Sequence, residues 1–390
     1  MILSVGVAVQ TASVEQTLLQ LEPDWERPSC GSRGVARGAR VRKLLPLTLK
    51  AFAGLLLAAA GCSNLFGPGS TPIPTGHLAF YTKCTESPCP SLSAEDLFVI
   101  GADGTGLRKL NSKGSAAGAA AWAPDGTRIA FEQRIGPNVD LYVSSLDGSP
   151  SIRITTDPAF DGQPTWSPDG QRLAFISKRE GKYAIYVMNA DGSAVSRLTD
   201  LQAIGSDVGE GEPAWSPDGT KIAFTRDGAL FTMNIDGSAP FNISAKSGWA
   251  ARGLSWSPDG TRIAFLRSAA GPLGLSDNSL IVIKHDGSNP VVIAHMDISG
   301  AFSWSPNSLR IAFTKLDAGE YWLVAVNSNG SGSLEKFVSG GVEPSWSPDG
   351  RTIVFQSGTT LFFAGSNGSS PVPVPNAPFG ARFPFWSPVQ

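Results

Sequence analysis

One five-residue phrase recurs along this chain at nearly constant spacing. It reads Trp122-Ala-Pro-Asp-Gly126, Trp166-Ser-Pro-Asp-Gly170, Trp215-Ser-Pro-Asp-Gly219, Trp256-Ser-Pro-Asp-Gly260, Trp304-Ser-Pro-Asn-Ser308, Trp346-Ser-Pro-Asp-Gly350 and Trp386-Ser-Pro388. The intervals are 44, 49, 41, 48, 42 and 40 residues. A period in that range marks a stacked supersecondary unit. Within each period the apolar runs are short and separated by turn residues, which points to an all-β propeller.

The stretch from Gln163 to Thr199 shows one unit complete. Thr165-Trp166 closes a first strand. Ser167 to Gly170 suits a type I turn, with Pro where φ must be near −65° and Gly last. Arg172 to Ile176 is a second strand and Ala184 to Met188 a third. Asn189 to Gly192 is another tight turn, and Ser196 to Thr199 a short fourth strand. A large aromatic at the same place in every unit is expected to fill the wedge between neighbours. The basic residue six positions later (Arg128, Arg172, Lys221, Arg262, Arg310) alternates with the apolar face and is expected to be solvated.

The two ends of the repeat region complement each other. Leu78 to Tyr81 is a second-strand phrase with no Trp phrase before it, and Phe383 to Trp386 is a first strand with nothing after it. Second-strand phrases begin at Leu78, Ile129, Leu173, Ile222, Ile263, Ile311 and Ile353. Tight turns after the third strand fall at Asp103, Asp147, Asp191, Asp236, Asp286, Asn329 and Asn367. Both tallies predict seven four-stranded antiparallel blades, closed by the C-terminal strand pairing into the N-terminal blade. Closure would leave no open strand edge at the join. The alternative is six blades with frayed ends.

Four segments are expected. Residues 1–40 fit neither an export signal nor the repeats, and translation is expected to begin near Val41. Residues 41–61 have a basic start, Arg42-Lys43, then an apolar run and small residues, which is the pattern of an export signal. Residues 62–76 are rich in Pro, Gly and Ser and read as a flexible tether. Residues 77–390 form the propeller. The stretch Leu57-Ala-Ala-Ala-Gly-Cys62 resembles a bacterial lipobox. That resemblance implies cleavage before Cys62, acylation of that residue, and a firm membrane anchor. With Ser63 next, it implies the outer membrane of a Gram-negative cell, facing the periplasm.

The formal net charge is −2, so no nucleic-acid partner is expected. Within the repeats only Cys84 and Cys89 occur, and in an oxidising compartment they are expected to pair as a disulfide. A metal site there would lack a nearby His. The only His residues are His77, His285 and His295, and a multi-His metal site is not expected. No Gly-x-Ser-x-Gly or His-Glu-x-x-His motif occurs. No cofactor, metal or catalytic residue is expected, and binding is favoured over catalysis.

The Pro-containing turns are short and alike, whereas the loops at the opposite ends of the strands vary. Variable loops on a rigid scaffold carry binding residues. The first strands should surround the channel, so residues three or four before each Trp should ring its mouth. That places Gln163, Glu212, Arg252, Glu343 and Arg382 there as candidate binding groups for a peptide terminus or an extended charged ligand. Phe160, Trp249 and Phe379 are candidate contacts on the same face.

The series Pro-x-Trp-Ser-Pro-Asp-Gly, Ile-Ala-Phe, Ile-Tyr-Val-Met-Asn-x-Asp-Gly-Ser, Arg-Leu-Thr resembles the TolB-type propeller repeat over about residues 77–390. The resemblance implies a monomeric, non-enzymatic scaffold in the bacterial cell envelope that binds a protein or peptide. The chain departs from TolB itself in lacking an N-terminal α/β domain, in its own lipid signal, and in counting seven blades rather than six. The alternative is a propeller enzyme, a lyase or lactonase acting on carbohydrate or lactone at the channel.

Overall fold

The Ser-Pro-Asp-Gly phrase folds as a braced turn. In one copy Gly170 N–H donates to Ser167 O at 2.8 Å, and Arg172 N–H donates to Ser167 Oγ at 2.9 Å. The Asp169 carboxylate accepts from the same hydroxyl and from Gln171 N–H. Each residue of the phrase therefore has a job. Ser and Asp satisfy the turn's donors, Pro presets φ, and Gly170 takes φ 66°.

The computed structural model describes residues 74–83, 95–111, 115–200, 210–244, 250–270, 276–296 and 301–388. The expected leader, Cys62, most of the tether, Cys84, Cys89 and Trp249 lie outside the described residues. Among the described residues the chain is all strand and turn, and no helix is long and apolar enough to cross a membrane.

Strands come in sets of four. The first to be introduced are β1 (His77–Lys83), β2 (Glu95–Gly101) and β3 (Arg108–Lys109). Next are β4 (Ser115–Trp122), β5 (Arg128–Ile135), β6 (Asn138–Ser145) and β7 (Ile152–Arg153). Then follow β8 (Asp161–Trp166), β9 (Arg172–Ser177), β10 (Ala184–Asn189) and β11 (Ser196–Arg197). The fourth set is β12 (Glu210–Trp215), β13 (Lys221–Arg226), β14 (Ala229–Asn234) and β15 (Phe241–Asn242). The fifth is β16 (Ala250–Trp256), β17 (Arg262–Ala270), β18 (Ser276–Lys284) and β19 (Val291–Met296). The sixth is β20 (Phe302–Trp304), β21 (Arg310–Asp317), β22 (Glu320–Asn327) and β23 (Glu335–Ser339). The last are β24 (Gly341–Trp346), β25 (Thr352–Ser357), β26 (Thr360–Gly365), β27 (Val372–Pro373) and the terminal β28 (Arg382–Trp386).

Five of these sets are separate four-stranded sheets. The remaining strands make one eight-stranded sheet, in which β2 meets β4 only through Glu95 opposite Ala116. β28 pairs antiparallel with β1, with Leu78 opposite Trp386 and Ala79 opposite Phe385. His77 and Ser387 complete this join by donating main-chain N–H groups to each other, to Ser387 Oγ at 3.2 Å and His77 O at 2.9 Å.

The core lies between successive sets. One cluster joins Leu141 and Ile154 to Trp166, Phe175 and Met188. Another joins Val354 and Phe363 to Leu78, Phe80 and Trp386 across the join between the two ends of the repeat region. The Phe of each second strand, from Phe80 through Phe131 and Phe175 to Phe355, is completely buried. The Trp residues of the repeated phrase lie in these seams, as do their neighbours Ile129, Ile222 and Ile311.

The recurring basic residue is not solvated as its alternation suggested. Arg128, Arg172 and Arg262 are half-buried, with guanidinium carbons 4.6, 5.0 and 5.3 Å from the ring centroids of Trp166, Trp215 and Trp304. Each lies over the Trp of the following set. The long aliphatic stem covers apolar surface while the head caps the indole face.

Candidate binding site at the inner strands

Five of the first strands carry a two-for-one bulge just ahead of their Trp. In β8, Gly162 opposes Ile176 and Thr165 opposes Ala174, so Gln163 and Pro164 together face one residue of β9. The same register shift occurs in β12, β16, β24 and β28. Pro164, Pro213, Pro344 and Pro384 sit at these bulges, where no ladder donor is needed. The residue before each is forced left-handed. Gln163, Glu212, Glu343 and Phe383 have φ of 52°, 53°, 54° and 51°. That conformation costs a non-glycine residue about 1 kcal/mol or more, and such strain gathers where a side chain must be aimed.

The aimed side chains differ in what they reach. Gln163 Oε1 accepts from Glu212 N–H at 2.5 Å in the next sheet. Glu212 Oε2 accepts from Gly253 N–H and, at 3.4 Å, from Leu254 N–H in the sheet after that. Glu132 of β5 begins this relay by accepting from Gln163 N–H at 2.8 Å. Glu343 breaks the pattern. Its Oε2 reaches back to Ala301 N–H at 3.4 Å, and its own N–H donates to Thr314 Oγ1 at 3.2 Å.

A cavity of about 840 Å³ opens where the relay is missing. Glu95, Glu132, Glu343 and Arg134 supply its charged groups, and Phe302, Phe383 and Phe385 its aromatic walls. Tyr81 also lines it and donates its hydroxyl to Gly118 O at 2.7 Å. A smaller recess of about 300 Å³ lies over Gln163, Glu212 and Gly253. The Pro-containing turns and the turns after the third strands meet elsewhere, where Pro306, Asp349 and Ser366 line a recess of about 240 Å³.

Burial dominates the electrostatics of the cavity. It pushes the Glu132 carboxyl up to about 7 against the main-chain donors Gln163 and Ala119 and the Arg134 charge. Burial also raises Glu212 and Glu343. Glu95 is raised by burial and partly held down by its ion pair with Arg382. Tyr81 is raised by burial and then by the Glu132 charge.

Of the groups expected at the channel mouth, Gln163 and Glu212 lie together in the smaller recess and Glu343 lies in the larger cavity. Arg382 touches the cavity through Glu95. Arg252 is half-buried on β16, near enough to Glu212 to favour its charged form. Phe379 is 84% exposed four residues before Phe383, whereas Phe160 packs edge-on against Tyr183. Sequence reasoning missed Tyr81, Glu95, Glu132 and Arg134. A signal existed for two of them: the residue after the second-strand Phe is Ile176 in one repeat but Tyr81 and Glu132 in others.

The family profile for the TolB β-propeller domain matches residues 93–207 and 162–339, more than half of the chain. The chain belongs to the TolB β-propeller family. No curated protein matches the sequence. Among solved structures, TolB from Acinetobacter baumannii is similar, at 18% identity and a TM-score of 0.53, over 80% of this chain and 66% of that one. This TolB-family chain therefore spans just under two thirds of that protein. An oligogalacturonate lyase from Vibrio parahaemolyticus aligns with a TM-score of 0.55 at 14% identity, over 78% of this chain and 91% of that one. A puromycin-hydrolysing peptidase from Mycobacterium tuberculosis aligns at 0.56 and 14% identity, over 72% of this chain and 48% of that one. At such identities the likeness concerns the fold alone.

Proposed function

We propose that this chain is a lipid-anchored, non-enzymatic propeller of seven blades, which captures a protein or peptide in the bacterial cell envelope. The blade count takes the lone Glu95–Ala116 bridge as incidental contact between two blades. The anchor is assigned to Cys62 and the tether to residues 62–76. Membership of the TolB family supports the envelope location. The observation that carries the binding role is the 840 Å³ cavity at the inner strands, which borders the strained Phe383 and Glu343. A concave site of this size with aromatic walls and a few aimed polar groups suits a ligand or peptide segment.

The experiment is site-directed photo-crosslinking in intact cells, with a photoreactive phenylalanine at position 379 and a control at Leu309, a 62% exposed residue on another loop. A discrete adduct from position 379 alone is expected. No adduct, or the same adducts from both positions, would sink the reading. Membrane fractionation of Cys62→Ser tests the anchor, and release of the protein into the soluble fraction is expected.

An enzyme is the second reading. The specific observation in its favour is Glu132, whose carboxyl is pushed up to about 7 beside Tyr81 in the cavity. A general acid or base needs a value near the working pH. Turnover of oligogalacturonates or lactones, abolished by Glu132→Gln, would establish this reading over the first.

A further inference from the structure

The larger cavity also indicates what kind of partner it suits, a step that rests on the binding role proposed above. Three carboxylates face it against the single guanidinium of Arg134. Glu95 is already matched by Arg382. Glu132 is oriented by main-chain N–H groups, and because burial leaves it only partly ionised near neutral pH, a cation placed against it would favour its charged form. Glu343 occupies the same left-handed position as Gln163 and Glu212, yet it does not bridge to the following sheet. Among the described residues its carboxylate has one long contact, to Ala301 N–H at 3.4 Å, and forms no ion pair. A half-buried carboxylate so placed gains from a cation brought by a ligand, because mutual attraction offsets the desolvation of both.

Much of the rest of the wall is apolar, with Ser115, Ser303 and Ser345 set into it. Phe302, Phe385, Pro344 and Pro384 line it, and Phe383 stands 42% exposed at its edge. Phe379 adds an exposed ring in the segment leading to β28. An apolar wall with carboxylates set into it matches a side chain that has an aliphatic stem and a cationic head.

We infer that this surface docks a short basic peptide segment, with a Lys or Arg head group against Glu343 and Glu132 and a neighbouring apolar side chain on Phe383 and Phe379. Charge complementarity selects this occupant over a neutral or acidic segment.

The test uses the mature chain and two blocked pentapeptides, acetyl-Gly-Phe-Lys-Phe-Gly-amide and its Glu counterpart, measured by isothermal titration calorimetry. The Lys peptide should bind at least about tenfold tighter than the Glu peptide, and added salt should narrow the gap. Glu343→Gln, which preserves shape, should weaken the Lys peptide on the order of tenfold. Phe379→Ala should weaken it without moving the melting temperature, because that ring is exposed. Equal binding of the two peptides, no response to Glu343→Gln, or displacement of the Lys peptide by calcium alone would overturn the inference. A crosslinked partner at position 379 combined with no Lys-peptide binding would overturn it while leaving the scaffold role intact.

Discussion

The guanidinium of Arg128 lies over the indole of Trp166 in the next sheet, 4.6 Å from the ring centroid. The same group donates to Gly170 O at 3.1 Å and to the Asp125 carboxylate at 3.0 Å. One side chain thus ties its own turn to the Trp and the turn of the following repeat. Removing the head should matter because it is only half-exposed. Arg128→Ala should destabilise by about 1–2 kcal/mol, and a double-mutant cycle with Trp166→Phe should show coupling of about 0.5–1 kcal/mol. Urea melts of the four proteins measure both. A coupling of zero would mean that the contact is only adjacency.

The turn after the third strand makes a different seam. A Cβ added to Gly192, where φ is 86°, would stand 2.4 Å from Ile154 O of the preceding set. One added to Gly181, where φ is 90°, would meet nothing within 4 Å. Both Ala substitutions carry backbone strain of about 1 kcal/mol. Only Gly192→Ala must also push two blades apart, which should add about 1–3 kcal/mol. Thermal melts that gave equal losses would show that the Asp-Gly turns are not seated on their neighbours.

The repeat made most of this architecture readable in advance. Trp, Pro, Asp and Gly at fixed spacing specify turn and wedge together, and the unmatched Leu78 and Trp386 phrases pointed to each other. Side-chain reach across a seam was not readable. Arg128 alternates with an apolar face, yet its target, Trp166, is 38 residues away in sequence. The site divided in the same way. The inner-strand positions of Gln163, Glu212 and Glu343 followed from counting back from Trp. The bulge that aims them, and the opposite directions taken by Glu212 and Glu343, depend on main-chain donors in neighbouring sheets. Glu132 escaped because it belongs to a second strand, where the pattern calls for an apolar residue.

Glu132 should make stability depend on pH. Its carboxyl is pushed up to about 7 from an ordinary value of 4.5, mainly by burial. Between those values the folded chain holds a proton that the unfolded chain has released. Stability contributed by this group is therefore full below about pH 4.5, falls as pH rises toward 7, and stays low above it. Glu132→Gln keeps an acceptor for Gln163 N–H and removes the titration. It should be more stable than wild type by on the order of 3 kcal/mol at pH 8 and indistinguishable from it near pH 4. Melts across that range decide the matter, and a constant offset between the two proteins would show that the carboxyl does not titrate there.

The join between the two ends of the repeat region should contribute as much as any internal seam. Trp386 is 7% exposed and stacks on Phe363 of the preceding set, with centroids 5.5 Å apart. It also sits opposite Leu78, which is completely buried. Trp386→Ala should cost about 3–5 kcal/mol by emptying this wedge, whereas Phe379→Ala a few residues earlier should cost almost nothing. Truncation after Ala381 removes β28 altogether and uncovers the edge of β1, which invites pairing with other chains. The truncated protein should melt lower and self-associate in size-exclusion chromatography with light scattering. A synthetic peptide of residues 382–390 should reverse both effects by reoccupying the edge. If truncation left the melting temperature and the monomer unchanged, β28 would be an ornament on an already stable sheet, and the ring would close without it.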